Sequence, residues 1–431
     1  MTTVAELTEM INHDRSGDIF RQIYKEPELS EYQKPRYKKL LCEFEKNFGG
    51  DCFGIFSAPG RTEIGGNHTD HQHGEVLCAA INPDTIAAVS PASDGSVCII
   101  SEGYGAVNIP SDALTALNEK DKGTTKALTC GVLNFIKEAG FKIGGFNAYM
   151  SSDVTGGSGL SSSAAFETLI CTIISQLYNE GSISPVDIAV IGQKAENIYF
   201  GKPCGLMDQM ACSVGSLCHI DFADNDEPKI EKISLDLADH GYCICITDVR
   251  SSHADLTDEY AAIPTEMRSV AGYFGKDFLA EVEEDKIYNN IPALRKACGD
   301  RAVLRAIHFV EENRRVIEEA DALKKRDIPS FLDAVQRSGD SSFRFLQNIY
   351  SPSSPASQSL SVALAISEHV LGSGRDRSGA CRVHGGGFAG TIQAFVPKEL
   401  VSRYRTAMDK VFGDGACSVL YIRTIGGTQV F

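Results

Sequence analysis

A glycine- and serine-rich segment between two apolar stretches is the feature that most restricts how this chain can fold. Residues 151–165 hold three glycines and several hydroxyl side chains, between Gly145–Met150, which alternates like a strand, and Ser161–Tyr178, which predicts a helix. Such a loop exposes backbone N–H groups beside the positive end of a helix dipole, which favours phosphate binding. No lysine follows the glycines, which excludes a Walker A loop. A flexible turn with a serine N-cap is the alternative.

The composition narrows the classes of partner. The chain of 431 residues carries 57 acidic and 41 basic residues and a formal charge of -16, without a local run of lysine and arginine. A negative field repels nucleic acid and anionic lipid, and no stretch approaches the ~20 apolar residues of a membrane span. We therefore expect a small-molecule ligand, no nucleic acid and no membrane as partners, and a monomer or weak homo-oligomer.

The cysteines and the first residues indicate a compartment. Fourteen cysteines are scattered singly, and no CxxC pair occurs. The segment Met1–Leu7 has neither the basic region nor the apolar region of a signal peptide. Both observations predict a reduced, cytoplasmic protein whose cysteines act as small hydrophobic residues.

Strands and helices follow one another without strict alternation, which predicts an α+β fold and not a doubly wound parallel sheet. A polar turn cluster at 223–228 is the best candidate linker and divides the chain into domains 1–228 and 229–431. Further helices are predicted over 3–47, 124–139, 185–199, most of 254–370 and 397–411, and strands over 52–57, within 76–109, and over 217–221, 242–248, 381–384, 391–396 and 418–423.

A second polar, glycine-rich segment follows a strand at residues 57–73. Its side chains His68, Asp70, His71 and His73 are close enough in sequence to suggest a metal site. No downstream histidine cluster completes a ligand set, so we favour hydrogen bonding of His68 and Asp70 to a polyhydroxylated ligand over zinc.

Two more segments are candidates for a site. Asp208 lies among apolar residues in Gly201–Met210, where a carboxylate is costly unless it is paired or catalytic, so it is either a general base or a helix N-cap. The segment Val383–Gly390 contains GxGxxG, but the residues after it predict a strand and not the helix of a dinucleotide-binding turn. A glycine turn between two strands suits close backbone approach to a ligand or loop.

Taken in order, these motifs resemble those of the GHMP kinase superfamily and, within it, the galactokinase family. The resemblance runs from about residue 50 to the end of the sequence. Its four parts are Gly60-Arg with His68-Thr-Asp70, then Gly159–Ala164, then Pro203–Gln209, and Gly385–Phe388. The second part alone marks the superfamily, whereas the first and third point to galactokinase.

The resemblance implies an N-terminal ribosomal-protein-S5-like domain and a C-terminal ferredoxin-like domain, with the active site between them. It implies ATP and Mg²⁺ as cofactors and phosphoryl transfer to the anomeric hydroxyl of galactose. It assigns catalysis to Asp208 and Arg61, sugar contacts to Asn67, His68, Asp70, Gly205 and Tyr260, the phosphate loop to Gly156, Gly157, Ser158, Gly159, Leu160, Ser161, Ser162 and Ser163, and the Mg²⁺ position to Ser162, Ser163 and Glu196.

Three positions depart from the usual galactokinase motif. The chain has Asn67 where the family has glutamate, His71 where it has tyrosine, and Glu63 where it has asparagine. These changes leave open a related kinase of another hexose or an N-acetylhexosamine. A catalytically silent sugar sensor and a metal hydrolase are further alternatives, although a sensor has no need of Asp208, Arg61 and the phosphate loop together.

Overall fold

The computed structural model describes residues 2–13, 17–154, 159–224, 228–251 and 256–431. Its helices are α1 Val4–Asn12, α2 Gly17–Tyr24, α3 Pro27–Phe48, α4 Thr125–Glu138, α5 Ser162–Asn179, α6 Pro185–Lys194, α7 Met207–Val214, α8 Thr257–Tyr273, α9 Glu284–Asn289, α10 Ile291–Cys298, α11 Asp300–Lys324, α12 Ile328–Ser341, α13 Ser359–Leu371 and α14 Val401–Phe412. Its strands are β1 Thr2–Thr3, β2 Asp51–Cys52, β3 Gly54–Gly65, β4 Glu75–Pro91, β5 Val97–Ser101, β6 Ala106–Ile109, β7 Phe146–Ser152, β8 Leu217–Asp221, β9 Lys229–Ile233, β10 Tyr242–Asp248, β11 Ala380–His384, β12 Thr391–Pro397, β13 Cys417–Leu420 and β14 Thr428–Gln429.

The larger sheet is organised around the long strand β4. Its order is β14-β3-β4-β7-β5-β6, and β4 also pairs with β8, which pairs with β9. Neighbouring strands are antiparallel except β5 and β7. One end of β4, residues 75–79, pairs with β8, and the other, residues 85–91, pairs with β7.

Both faces of this sheet are covered by helices. Successive side chains of a strand point to opposite faces, so Phe56 and Ala87 pack under α4 and α5, whereas Ile55 and Ala88 pack under α1, α2 and α3. Because neither face meets water, β3 and β4 are buried along nearly their whole length, and most of their residues are apolar or small.

The smaller sheet is antiparallel, with the order β11-β12-β10-β13. Along the chain, β10 is followed by helices, then β11 and β12, then α14 and β13, which is the βαββαβ order of a ferredoxin-like domain. Helices α13 and α14 cover one face, while Phe395 on the other face packs against Phe331 of α12. The predicted ferredoxin-like part is therefore confirmed.

The two sheets share contacts across the predicted domain boundary. Strand β9 follows residue 228 and pairs with β8, and β14 returns from the smaller sheet to pair with β3. One apolar cluster joins Leu77 of the larger sheet, Val316 of α11 and Phe395 of the smaller sheet. The division into 1–228 and 229–431 stays a prediction.

Most predicted elements are present, with three differences that have local causes. The helical region 3–47 divides into α1, α2 and α3, and Pro27 begins the last of these. Residues 75–91 form one strand because both faces are buried. The predicted helix 185–199 changes to a π-helical turn at Ala195–Phe200. Within the described ranges, no helix is long and apolar enough to cross a bilayer.

Candidate active site

Asp208 lies in the first turn of α7 but does not cap it. Leu206 occupies the N-cap position, and the Asp208 carboxylate instead accepts hydrogen bonds from Arg61 Nε at 2.6 Å and Arg61 Nη2 at 2.8 Å. The Asp208 side chain is 28% exposed, so it is held by a bidentate pair and still reaches solvent. Of the two roles that the sequence left open, the structure excludes the N-cap.

Arg61 joins Asp208 to the glycine- and serine-rich loop. Its Nη1 donates to the carbonyl oxygen of Gly159, and its backbone N–H donates to that of Leu160 at 3.0 Å. Burial alone would lower the pKa of Arg61, but the charge of Asp208 raises it above the usual value. A permanent cation therefore lies between the carboxylate and the end of the loop.

The described part of the loop begins at Gly159; Gly156, Gly157 and Ser158 lie outside the described residues. Gly159 has a φ of +72°, and an added Cβ would lie 3.0 Å from Thr391 Oγ1, so glycine suits both its backbone conformation and its contact with the smaller sheet. Ser161 has a φ of 59°, and its hydroxyl donates to Asp208 Oδ2. Ser162 and Ser163 then form the first turn of α5.

Glu196, in the π-helical turn, faces the same helix end. Its Oε1 accepts from Ser163 Oγ at 2.9 Å and from Lys202 Nζ at 3.0 Å. Gln209 Nε2 donates to Glu196 Oε2 at 2.9 Å and to Glu167 Oε2 at 3.0 Å. Burial and the neighbouring Glu196 raise the pKa of Glu167 well above its usual value. Gln209 thus links the carboxyl groups of Glu167 and Glu196 beside Ser163.

The donor set around Glu196 fits Mg²⁺. A serine hydroxyl and a carboxylate are hard oxygen ligands, and Mg²⁺ in kinases is held by one or two such groups together with phosphates. The Oε1 atom of buried Glu167 accepts no hydrogen bond, which leaves oxygen capacity at this position. Among the residues that the structure describes, no group of three or more His, Cys, Asp or Glu side chains could hold a metal ion.

The Asp70 carboxylate packs directly against Gly205 at the predicted sugar position. Asp70 Oδ1 accepts from the backbone N–H of His71 at 3.0 Å. A Cβ on Gly205 would lie 2.2 Å from Asp70 Oδ2, so only glycine leaves room for the carboxylate there. Gly205 is three residues before Asp208, which brings the two carboxylates to one region of the molecule.

The glycine turn between β11 and β12, residues 385–390, lies against two of the other predicted sugar-contacting residues, His68 and Tyr260. The His68 ring bonds to the carbonyl oxygen of Gly386 at 3.0 Å, and the Tyr260 hydroxyl donates to that of Gly387 at 2.8 Å. A Cβ on Gly386 would lie 2.7 Å from Tyr260 Cε1. This turn lies between two strands, as expected, and the close approach it permits is to His68 and Tyr260.

Asn67 is 1% exposed, and protein groups occupy its amide. Its Nδ2 donates to Glu63 Oε1 at 3.0 Å and to the Gly385 carbonyl at 2.7 Å, and its Oδ1 accepts from Asn348 Nδ2 at 2.8 Å. In this geometry Asn67 supports the loop that follows β3, residues 66–74, from inside. Its direct contact with a sugar stays a prediction.

The sequence predicted helix in this region but did not indicate that α11 supports the loop that follows β3. On α11, His308 Nε2 bonds to the Asn67 carbonyl at 3.0 Å, and Glu312 Oε1 accepts from the Gly66 backbone N–H at 3.2 Å. Polar side chains recur on this helix at three- and four-residue spacing, and all of them are buried in the structure: Arg305, His308, Glu312, Arg315 and Glu319.

The comparisons with known proteins agree with this geometry. A galactokinase galactose-binding signature matches residues 42–91, and the GHMP kinases N terminal domain matches residues 127–216. A galactokinase of Streptomyces coelicolor is 30% identical over 86% of this chain and 91% of its own length. The human galactokinase is 31% identical over 84% of this chain and 89% of its own. The chain belongs to the galactokinase family.

The fold likeness agrees with membership of the galactokinase family. A Lactococcus lactis galactokinase solved with galactose superposes with a TM-score of 0.76 at 22% identity, covering 91% of this chain and 100% of the other. A mevalonate kinase superposes with a TM-score of 0.60 at 16% identity, over 86% and 99% of the two chains. The GHMP kinase fold predicted from the sequence is therefore confirmed, and the chain is a kinase of this superfamily.

Proposed function

We propose that the protein is an ATP-dependent sugar 1-kinase that phosphorylates galactose. The observation that carries the proposal is the Asp208 carboxylate, held by Arg61 and Ser161 beside the first turn of α5 and near the Asp70–Gly205 pair. The relatives named galactokinase, which align along most of the chain, support the same substrate.

Asp208 is the general base of this proposal. The anomeric hydroxyl oxygen forms a bond to the γ-phosphorus as the bond from that phosphorus to the β,γ-bridging oxygen breaks, ADP leaves, and the hydroxyl proton passes to Asp208. Arg61 keeps Asp208 ionised through its bidentate pair and offsets negative charge on the moving phosphoryl group.

The nucleotide lies at the start of α5 in this proposal. Backbone N–H groups of Gly159–Ser163, together with those of Gly156, Gly157 and Ser158, bind its phosphates. Ser162, Ser163 and Glu196 hold Mg²⁺, which when bound neutralises charge on the β- and γ-phosphate oxygens. Lys202, within 3.0 Å of Glu196, adds a positive charge beside the same group.

The sugar lies between the loop that follows β3 and the segment before α7. Asp70 accepts sugar hydroxyl hydrogens through Oδ2, while Gly205 keeps that space open. His68, Tyr260 and Asn67 complete the predicted sugar side, held by the glycine turn of the smaller sheet. Hydrogen bonds of this kind distinguish sugar stereochemistry more sharply than apolar contacts do. The cytoplasmic location and the monomeric or weakly oligomeric state stay predictions.

An ADP-release assay over galactose, other hexoses and N-acetylhexosamines tests the proposal. We expect turnover with galactose above the other sugars; turnover only with another sugar would reassign the substrate. Asp208→Asn should reduce kcat by roughly 10²- to 10⁴-fold, the usual worth of a general base, while sugar and ATP still bind. Unchanged kcat in this variant would contradict the role of Asp208.

A further inference from the structure

Two histidines and a carboxylate form a continuous chain of polar contacts beside the predicted sugar position. His68 Nε2 lies 3.0 Å from the Gly386 carbonyl oxygen, and His68 Nδ1 lies 2.9 Å from His71 Nε2. His71 Nδ1 in turn lies 3.0 Å from Asp70 Oδ1. Both rings and the carboxylate are half-buried, so solvent replaces none of these contacts completely.

The number of protons that these contacts share follows from the groups at their two ends, the Gly386 carbonyl and the Asp70 carboxylate. A carbonyl oxygen only accepts, so His68 Nε2 carries a proton towards Gly386. A carboxylate also only accepts, so His71 Nδ1 carries a proton towards Asp70. The contact between the two rings needs one proton more. Four ring nitrogens therefore share three protons, and the His68–His71 pair carries one positive charge, whichever ring holds the middle proton.

The surrounding charges place this positive charge on His71. Burial and the neighbouring His71 lower the pKa of His68 to about 3. Burial works against ionisation of His71 as well, but Asp70 on the same turn and Glu63 on β3 raise its pKa. The groups that oppose this effect are Arg268 on α8, which faces His71, and His308 on α11, which faces His68.

We propose that His71 is a positioning residue for Asp70, and that sugar binding, unlike nucleotide binding, requires the third proton of the His68–His71 pair. The inference rests on the proposed function, because it assigns Asp70 to the sugar. With the proton present, His71 holds Asp70 Oδ1 from both its ring and its backbone N–H, which leaves Oδ2 facing Gly205. Without it, two protons remain for three contacts, so one contact is lost and the continuous link that fixes Asp70 to the glycine turn is broken.

The direction of the pH dependence follows. The pKa of His71 is raised, so the charged pair is complete below this raised pKa and is lost as pH rises through it. We expect kcat/KM for galactose to fall about tenfold for each pH unit above that pKa, while KM for ATP stays constant.

The decisive variant is His71→Tyr, whose hydroxyl can still donate to His68 Nδ1 but carries no positive charge near neutral pH. We expect a lower kcat/KM for galactose than in the parent protein and no fall between about pH 6 and about pH 9, where histidine titrates. His369→Tyr, on an exposed position of α13, is the matched control and should keep the parent profile. A parent-like pH profile in His71→Tyr would overturn the inference.

A measurement on the unmodified protein covers the case in which His71→Tyr does not fold. In ¹⁵N-histidine NMR spectra, we expect the His71 ring to stay doubly protonated to a higher pH than an unperturbed histidine side chain, whose pKa is about 6.5. A His71 ring that loses its second proton at or below that pH would overturn the inference. Absence of galactose turnover in the parent protein would instead refute the proposed function, and the NMR titration would still decide the charge of the pair.

Discussion

Gly205 is the residue whose smallness matters most directly to the proposed sugar position. A Cβ there would lie 2.2 Å from Asp70 Oδ2, a distance that only a shift of one of the two groups can relieve. We therefore expect Gly205→Ala to raise KM for galactose and to lower kcat/KM for galactose by up to about a hundredfold, the loss that a misplacement of about 1 Å can cause, with KM for ATP unchanged. Steady-state kinetics with each substrate varied in turn measures this.

The control for Gly205→Ala is a glycine with open space around it. Gly272, near the end of α8, has no atom within 4 Å of an added Cβ and has no positive φ. Gly272→Ala should leave both KM values unchanged. A Gly205→Ala variant with normal KM for galactose would mean that the sugar does not use this side of Asp70.

Single residues also show where sequence reasoning stops. The apolar neighbours of Asp208 predicted that it is either a general base or a helix N-cap, and its pairing with Arg61, which lies far away in sequence on β3, was not visible from that stretch. Ser161 was predicted for its place in the loop, not for its hydrogen bond to Asp208. Asn67 was predicted as a sugar contact, and its burial depends on Asn348 and Gly385, which no local pattern could place beside it.

At the scale of elements, α11 supports the loop that follows β3, residues 66–74, which we call the sugar loop. Glu312 accepts from Arg315 Nε at 2.8 Å, from Ser338 Oγ at 2.5 Å and from the backbone N–H of Gly66. Burial would raise the pKa of Glu312, but the charge of Arg315 lowers it to about 2. Because the pKa is depressed in the folded state, this stabilisation is complete above the pKa of an unfolded glutamate, about 4.3, and is lost as pH falls through about 2.

We expect Glu312→Gln to remove this pH-dependent stabilisation. The free energy of unfolding of the parent protein should fall by about 3 kcal/mol more than that of the variant as the pH is lowered from about 5 to about 2. Urea titrations at a series of pH values measure the difference. Glu318→Gln is the matched control, because Glu318 lies on the same helix with its side chain 43% exposed in a surface pair with Arg337. Parallel curves for Glu312→Gln and the parent would contradict the buried charge.

The elements themselves were predictable where their pattern was local. Alternation and apolar spacing located β7, α5 and the strands of the smaller sheet, because each buries at least one regular face. Charged residues at helical spacing are usually exposed, so no local pattern indicates that those of α11 are buried. Glu312 is buried because the sugar loop, Arg315 and Arg382 of β11 interact with it, and the partners from the loop and from β11 are distant in sequence.

At the scale of the molecule, one buried aspartate joins segments from the whole length of the chain. Asp84, fully buried in β4, accepts from Arg36 Nη1 at 2.6 Å and from Tyr24 at 2.8 Å, and Arg423 Nη1 lies 3.4 Å from it. Removing one partner of a buried charge network leaves the others unpaired. We expect Asp84→Ala to lower the free energy of unfolding by roughly 3–5 kcal/mol, measured by urea denaturation at neutral pH.

The matched control for this substitution is Asp112→Ala, at an exposed position after β6. It should change the free energy of unfolding by no more than about 0.5 kcal/mol, as exposed substitutions usually do. Equal effects of the two substitutions would mean that Asp84 does not join the N-terminal helices to the segment that holds Arg423.

The pairing of β14 with β3 also has a consequence for how the protein is made. Ser57 pairs with Thr428, so the edge of the larger sheet cannot close until residue 428 has left the ribosome. Domains usually fold as units during synthesis, and contacts between distant residues form slowly. During translation, this part of the β3 edge therefore stays unpaired until almost the whole chain has been made, and an unpaired strand edge is a template for pairing with another chain.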